Sequence, residues 1–245
     1  MFEEYVTPHR QLVKIRESMQ EYKVYPVQIR RALSFDGVDD YVNVPSTPML
    51  SGLNNITVMA WVCPSKTSEG IIVSKHSAVT GREWMLYINP NNYRFTFQVY
   101  DQQAGTFREV FGSLVQIGVP VFLAGTYDGS VLRIYENAVL KSQATTNIVI
   151  RPLSTPIRVG SRANDIRFYG GIIDEVRIYN RALTADEIKW LYNNGRGRPG
   201  QVGIRDGCVL CLDFSRWRGS SWVKDISGYG NHGQIYGARR VPRGF

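Results

Sequence analysis

Residues 207–245 are too few to make a domain, and that limits what the whole chain can fold into. From Gly207 the sequence runs G-C-V-L-C-L-D-F-S, then D-I-S-G-Y-G-N-H-G-Q-I-Y-G-A from Asp225 to Ala238. Before it, G-R-G-R-P-G-Q-V-G has the composition of a linker. A piece of about 40 residues buries too little surface to fold alone, so it must complete a sheet. Two routes are open: completion within its own chain, or donation to a neighbouring subunit. Residues 195–206 reach roughly 40 Å when extended, enough for the first route.

From Ala32 onward the pattern has period two. Phe95, Phe97 and Val99 alternate with Arg94, Thr96, Gln98 and Tyr100, and Trp84, Leu86 and Ile88 alternate in the same way. The stretch G-T-Y-D-G-S-V-L-R-I-Y-E-N-A-V-L predicts a turn at Asp128-Gly129, a strand, a tight turn near Asn137 and a return strand. Short strands with frequent Gly, Asn and Pro turns predict an all-β, two-sheet antiparallel sandwich. One helix is expected at 185–193: Thr184 and Glu187 form a capping box, with Ile188, Leu191 and Tyr192 on an apolar side. A second is expected at 7–22, where Leu12, Ile15, Met19 and Tyr22 make a narrow stripe. The expected organisation is an N-terminal arm (1–31), the main part of the sandwich (32–195), a linker (196–206) and the completing segment (207–245).

Charge is unevenly placed. Residues 32–195 carry 14 basic and 14 acidic side chains, whereas 196–245 carry nine and three. That basic region suits a partner protein better than nucleic acid. No run of about 18 apolar residues suggests a membrane span, and M-F-E-E-Y shows no apolar signal region. Three cysteines are too few for a disulfide framework. Cys208 and Cys211 have C-x-x-C spacing, but i and i+3 on a strand face opposite sides, so they are expected to be separate buried thiols.

Four stretches resemble the laminin-G-like, concanavalin A-like lectin superfamily: F-D-G-V-D-D-Y-V (35–42), G-T-Y-D-G-S-V-L-R-I-Y (125–135), G-I-I-D-E-V-R-I-Y-N-R-A-L-T-A-D-E-I (171–188) and G-Y-G-N-H-G (228–233). In that family the D-x-S-G-x-G-N-x-G stretch normally precedes A-L-x-F-D-G-x-D-D-Y-V; here it follows. The resemblance implies a jelly roll, often carbohydrate-binding or adhesive, sometimes purely structural. It also implies calcium, bound by acidic residues near these motifs, for which Asp36, Asp40 and Asp174 are the candidates. Period two places Asp174 on the face of Val176 and Ile178, and Asp40 on that of Val42 and Val44. The alternative, which the residues favour, is that Asp36-Gly37 makes a turn and Asp174 accepts backbone N–H groups.

Glycoside hydrolases of this fold need paired carboxylates, usually alternating on one strand, and no strand here carries them. His9, His76 and His232 lie in unrelated contexts, so no catalytic residue is assigned. For a ligand surface the candidates are Arg94, Gln98 and Tyr100 on one strand and Arg133 and Tyr135 on another, whose planar polar and aromatic groups suit a sugar or a solvated face. The expected function is a non-catalytic structural or surface protein of an assembly, a virion or surface filament, with self-assembly or other structural subunits as partners. The alternative is a calcium-assisted, lectin-like module that binds glycans. Either is expected at a virion or cell surface.

Overall fold

The computed structural model describes residues 31–77, 79, 81–164, 167–194, 203–214 and 221–242. The helix expected at 7–22 and most of the linker lie outside them. The described residues form two antiparallel sheets. The first runs in the order β10 (Val139–Thr145), β9 (Val131–Glu136), β8 (Val121–Tyr127), β3 (Ile56–Pro64), β12 (Gly170–Tyr179). The other edge of β12 is shared by β1 (Arg31–Asp36) and β13 (Cys208–Asp213), and β16 (Arg239–Pro242) pairs with β1. The second sheet runs β14 (Trp222–Asp225), β15 (Gly233–Tyr236), β2 (Tyr41–Val44), β11 (Ile157–Val159), β4 (Gly70–Ser77), β5 (Gly81–Ile88), β6 (Arg94–Asp101), β7 (Thr106–Leu114).

Between the sheets lies one apolar cluster, including Phe35, Val42, Val58, Trp84, Phe97, Ile134, Ile178 and Leu210, all buried. The alternation along β5 and β6 delivers Trp84, Leu86, Ile88, Phe95, Phe97 and Val99 to it, as period two requires. A smaller cluster lies on the outer face of the first sheet. There the helix α1 (Ala185–Asn194) covers Met59, Trp61, Phe122, Tyr179, Cys208 and Cys211 with Ile188 and Leu191, and Tyr192 stacks on Trp61 at 5.6 Å. The capping box forms: Glu187 N–H donates to Thr184 Oγ1 (3.2 Å) and Thr184 N–H to Glu187 Oε2 (2.9 Å). The Arg181 guanidinium grips both Glu187 oxygens and draws its carboxyl down to about 2. No described helix is long and apolar enough to cross a membrane.

The last segment pairs within its own chain. Arg177 lies opposite Cys211 on β13, Leu212 opposite Asp225 on β14, and Ile235 on β15 opposite Val42. It therefore weaves from the first sheet to the second and back. Arg31 and Pro242 sit side by side in the β1–β16 pair, so the two ends of the described domain are adjacent, the arrangement that tolerates rearranged chain order.

Two periodicity arguments are corrected by bulges, each of which inserts one extra residue and reverses the parity beyond it. In β12 the register shifts between Asp174 and Arg177, with Glu175 at φ 51°. Asp174 pairs with Trp61 and points out of the core, not onto the face of Val176 and Ile178. In β13 the extra residue is Val209, since Cys208 pairs with Tyr179 and Leu210 with Ile178. Cys208 and Cys211 therefore share one buried face, and the Cys208 thiol donates to Leu210 O (3.5 Å).

A circular permutant that joins Pro242 to Arg31 through a short loop and begins at Gly207 is expected to fold, with a near-unchanged near-UV circular dichroism spectrum. Asp225→Ala in the natural order removes an acceptor of several buried N–H groups and is expected to cost about 3 kcal/mol, a fall in Tm of roughly 6–12 °C. A permutant that stays unfolded, or an Asp225→Ala protein as stable as the parent, would contradict this account of how the segment is held.

Candidate functional site

On β5 and β6, Met85, Tyr87, Thr96, Gln98 and Tyr100 alternate with core residues and so face outward from the second sheet. Register lines them up across strands: Ile71, Tyr87, Thr96 and Phe111 in one row, Ser74, Met85, Gln98 and Glu109 in the next, with His76 opposite Arg82 and Tyr100 opposite Phe107. Residues 161–164 and 167–168 lie beside β4, where Ser161 O accepts the Ser74 hydroxyl (3.0 Å), Ala163 N–H reaches His76 O (3.0 Å) and Ile71 N–H reaches Arg167 O (3.3 Å). This excursion brings Arg162 and Arg167 onto the face.

The polar groups there are fixed by one another. Tyr87 hydroxyl donates to Glu109 Oε2 (3.3 Å) and accepts from Asn89 Nδ2 (3.2 Å); burial, with the Glu109 charge, pushes the phenol up. Arg167 pairs with Glu69 at 2.6 Å. Arg162 Nη1 donates to His76 Nε2 (3.2 Å), which assigns the ring proton to Nδ1, a buried atom with no hydrogen-bond partner. Burial, then the charges of Arg162, Arg82 and Arg167, drives the His76 ring down to about 3, so it is neutral at any physiological pH. Its ring stacks on Phe107 (5.7 Å, 14°), and the Arg82 guanidinium lies 5.6 Å from the Tyr100 centroid and 5.8 Å from that of Phe107.

Of the residues expected in a ligand surface, Gln98 and Tyr100 belong to this face. Arg94 is tied by Nη1 to Gly112 O (2.9 Å). Arg133 and Tyr135 stand on the outer face of the other sheet: Arg133 pairs with Asp128 (2.6 Å), and Tyr135 is buried in the cluster under α1. The five therefore form no single surface. Sequence reasoning missed Tyr87, Glu109, Arg82, Arg162 and Arg167, and set His76 aside.

The metal candidates separate. Asp36, Asp39 and Asp40 cluster within 4.8 Å, but Asp174 lies back along β12, opposite the start of β1 and away from Asp36, which pairs with Gly170. In the loop, Asp36 Oδ1 accepts Val38 N–H (2.8 Å) and Asp39 N–H (3.4 Å), and Asp40 Oδ2 accepts Asp36 N–H (2.8 Å). Lys66 Nζ donates to Gly37 O at 3.0 Å, placing an ammonium where a cation would draw on that carbonyl. Burial raises the Asp40 carboxyl. Two of the six carboxylate oxygens of this cluster thus already accept backbone N–H groups, and calcium, which takes six to eight oxygens, would need backbone carbonyls and waters besides the rest.

The model for the concanavalin A-like lectin/glucanases superfamily matches residues 36–189. The chain belongs to that superfamily. The matched range ends before β13, so the strands from β13 to β16 extend the sandwich beyond it. No curated protein matches the sequence. Among solved structures, a provisionally assigned carbohydrate-binding protein from Bacteroides ovatus ATCC 8483 is similar over 90% of this chain, with a TM-score of 0.68 and 16% identity; the chain spans 62% of that protein's length. A native heptameric SAP-like pentraxin from Limulus polyphemus (TM-score 0.53, 14% identity) is covered over 93% of its length by 76% of this chain. The binding domain of Paraclostridial Mosquitocidal Protein 1 has the same TM-score at 13% identity, with 76% of this chain covering 52% of it. At these identities the likeness is one of fold.

Because the 36–40 loop closes on its own hydrogen bonds and on Lys66, Tm is expected to be indifferent to chelator and to added calcium. A Tm that climbs with calcium concentration, as binding to the native state alone requires, and that Asp40→Asn makes flat, would establish a calcium site there.

Proposed function

We propose that this protein is a lectin-like module that binds carbohydrate, without catalysis, on the outer face of its second sheet. The observation that carries this is the outer face on which Tyr87, Asn89 and Glu109 are hydrogen-bonded to one another, with Gln98 opposite Glu109, the rings of Tyr100 and Phe107 beside them, and Tyr87, Asn89 and Gln98 sunk below the exposed Glu109. A pyranose offers hydroxyl groups to such polar atoms and an apolar C–H face to such rings. Membership of a lectin/glucanase superfamily and likeness to a protein described as carbohydrate-binding support the same reading. A module of this kind acts where glycans are displayed, at a cell or virion surface.

The assembly role rests on other residues. Trp222, Tyr229 and Tyr236 are large aromatics left 42%, 52% and 39% exposed along the completing segment, and a self-complementary contact would use them. Light scattering across a concentration series separates the two: a monomer that binds sugar supports the module, and an ordered oligomer dispersed by Trp222→Ser supports assembly.

A glycan array followed by calorimetry is expected to find saturable binding, with no reducing ends released from the bound oligosaccharide. Gln98→Ala and Tyr87→Phe should each weaken it about tenfold, close to 1.4 kcal/mol, with Tm little changed. Binding that ignores both substitutions, or progressive hydrolysis of the ligand, would overturn the proposal.

A further inference from the structure

We propose a second saccharide site on the other half of the second sheet's outer face, over β15, β2 and β11, which takes a sugar bearing a carboxylate and holds that group on Arg158. The site shares no side chain with the one around Gln98. Alternation turns Val42, Val44, Ile157, Val159 and Val223 into the core, so Tyr41, Asn43, Arg158 and Trp222 face outward, as Gln234 and Tyr236 do on β15. Register sets Trp222, Gln234, Asn43, Arg158 and Ser74 in one row across neighbouring strands, with Tyr236 opposite Tyr41 in the next. From Trp222 to Arg158 the row crosses three strand spacings, about 14 Å. Ser74 is buried, its hydroxyl donated to Ser161 O (3.0 Å), and ends the open part of the row.

Three planar groups stand face to face here. Tyr236 stacks on Tyr41 (4.5 Å, 18°), and the half-buried Arg158 guanidinium lies 4.1 Å from the Tyr41 centroid. Because β2 runs between β15 and β11, Tyr41 is held from both sides. Stacking occupies the flat face of a guanidinium and leaves the N–H edge for hydrogen bonds. That edge is unspent: among the described residues no oxygen accepts from Arg158, and its Nε–H is buried without a partner. The row beside it is unspent too. The Asn43 amide bonds no other described residue, and Gln234 Oε1 accepts only the Tyr236 hydroxyl (3.0 Å), which leaves the Gln234 N–H groups free. Around Gln98, by contrast, Glu109 and Asn89 are both bonded to the Tyr87 hydroxyl. The nearest acid in sequence, Asp40, is buried and accepts Asp36 N–H (2.8 Å). A cation fixed against a ring, with two parallel N–H groups to offer, is complementary to a planar carboxylate. The amides of Asn43 and Gln234 suit the ring hydroxyls of the same sugar, and the exposed indole of Trp222 offers a flat face at the far end of the row.

Calorimetry on the full chain tests this with three probes: an oligogalacturonate, its methyl ester (the same chain without charge) and a dextran sulfate oligosaccharide. At low ionic strength the oligogalacturonate is expected to bind about ten times more tightly than the ester, a margin that shrinks as salt is raised. Arg158→Gln should remove the margin, and Arg158→Lys, which keeps the charge and loses the fork, should leave about a third of it. Asn43→Ala, a change on the half-exposed floor with Tm followed beside it, should weaken the oligogalacturonate about fivefold. Equal binding of acid and ester, or a margin that survives Arg158→Gln, would overturn the site. Tighter binding of the sulfate than of the uronate would overturn the carboxylate assignment. Neutral binding that Gln98→Ala abolishes, with no margin for the acid, would defeat this proposal and leave the lectin reading standing. An oligomer dispersed by Arg158→Gln and by Tyr236→Ser, with no uronate bound, would make the patch a contact between copies and defeat it likewise. Failure of every saccharide to bind would defeat both readings.

Discussion

The Asp225 carboxylate accepts backbone N–H groups from Cys211, Ser227 and Asn231, each at 2.9 Å, and the Ser227 hydroxyl at 2.7 Å. Cys211 belongs to a strand of the first sheet, while Asn231 leads into β15 of the second. One buried anion thus joins both layers, and Asn231 Nδ2 reinforces it by donating to Val209 O (3.0 Å). The spacing D-x-S-G-x-G-N follows from this geometry. Ser227 must sit two residues on to reach both oxygens, and Gly230, at φ 73°, turns the chain back so that Asn231 N–H points at the carboxylate. The segment can lie at either end of the sequence because its hold is local to this turn and to its edge pairings, not to the connection that precedes it.

How much of this could be read from the sequence depends on whether the residues obey a period. The strands at 84–88 and 94–100, the capped helix and the Asn137 turn were legible, since each rests on alternation, capping or turn chemistry that acts over a few residues. Asn137 and Ala138 take φ of 50° and 65°, as a two-residue hairpin turn demands. Asp174 and the Cys208–Cys211 pair were misplaced for one shared reason. A bulge leaves no mark in a run of apolar residues, and parity beyond it inverts. Glu175 at positive φ carries no Gly or Asn to announce it.

The candidate site divides along the same line. Gln98 and Tyr100 could be found because they alternate with core residues on a clean strand. Tyr87 and Glu109 obey the same rule, but no pattern says that their strands flank β6. Arg162 and Arg167 lie on an irregular excursion, where side-chain direction is set by contacts with β4 and not by any repeat. Arg133 and Tyr135 looked equivalent to Gln98 and Tyr100 because alternation gives a face and says nothing of which sheet owns it.

Beneath the face, the Lys75–Glu83 pair explains why it can be held in place. Both side chains are fully buried, 3.6 Å apart, and burial pushes the lysine down and the carboxyl up while each charge opposes the shift of the other. Such a pair is a poor source of net stability, since desolvation offsets most of the attraction. Its value here is positional. Lys75 also donates to Ser46 Oγ and to the carbonyls of Leu153 and Thr155, and Glu83 accepts from Ser51 Oγ and from Gly52 and Leu153 N–H. Those bonds bind the loops at 46–52 and 151–155 to β4 and β5 at the residues next to His76 and Arg82. Loss of one partner would strand a charge in the interior and loosen the paired strand positions of His76 and Arg82. The polar network inside the sandwich and the polar face outside it share one stretch of backbone, so the rigidity of the second depends on the completeness of the first.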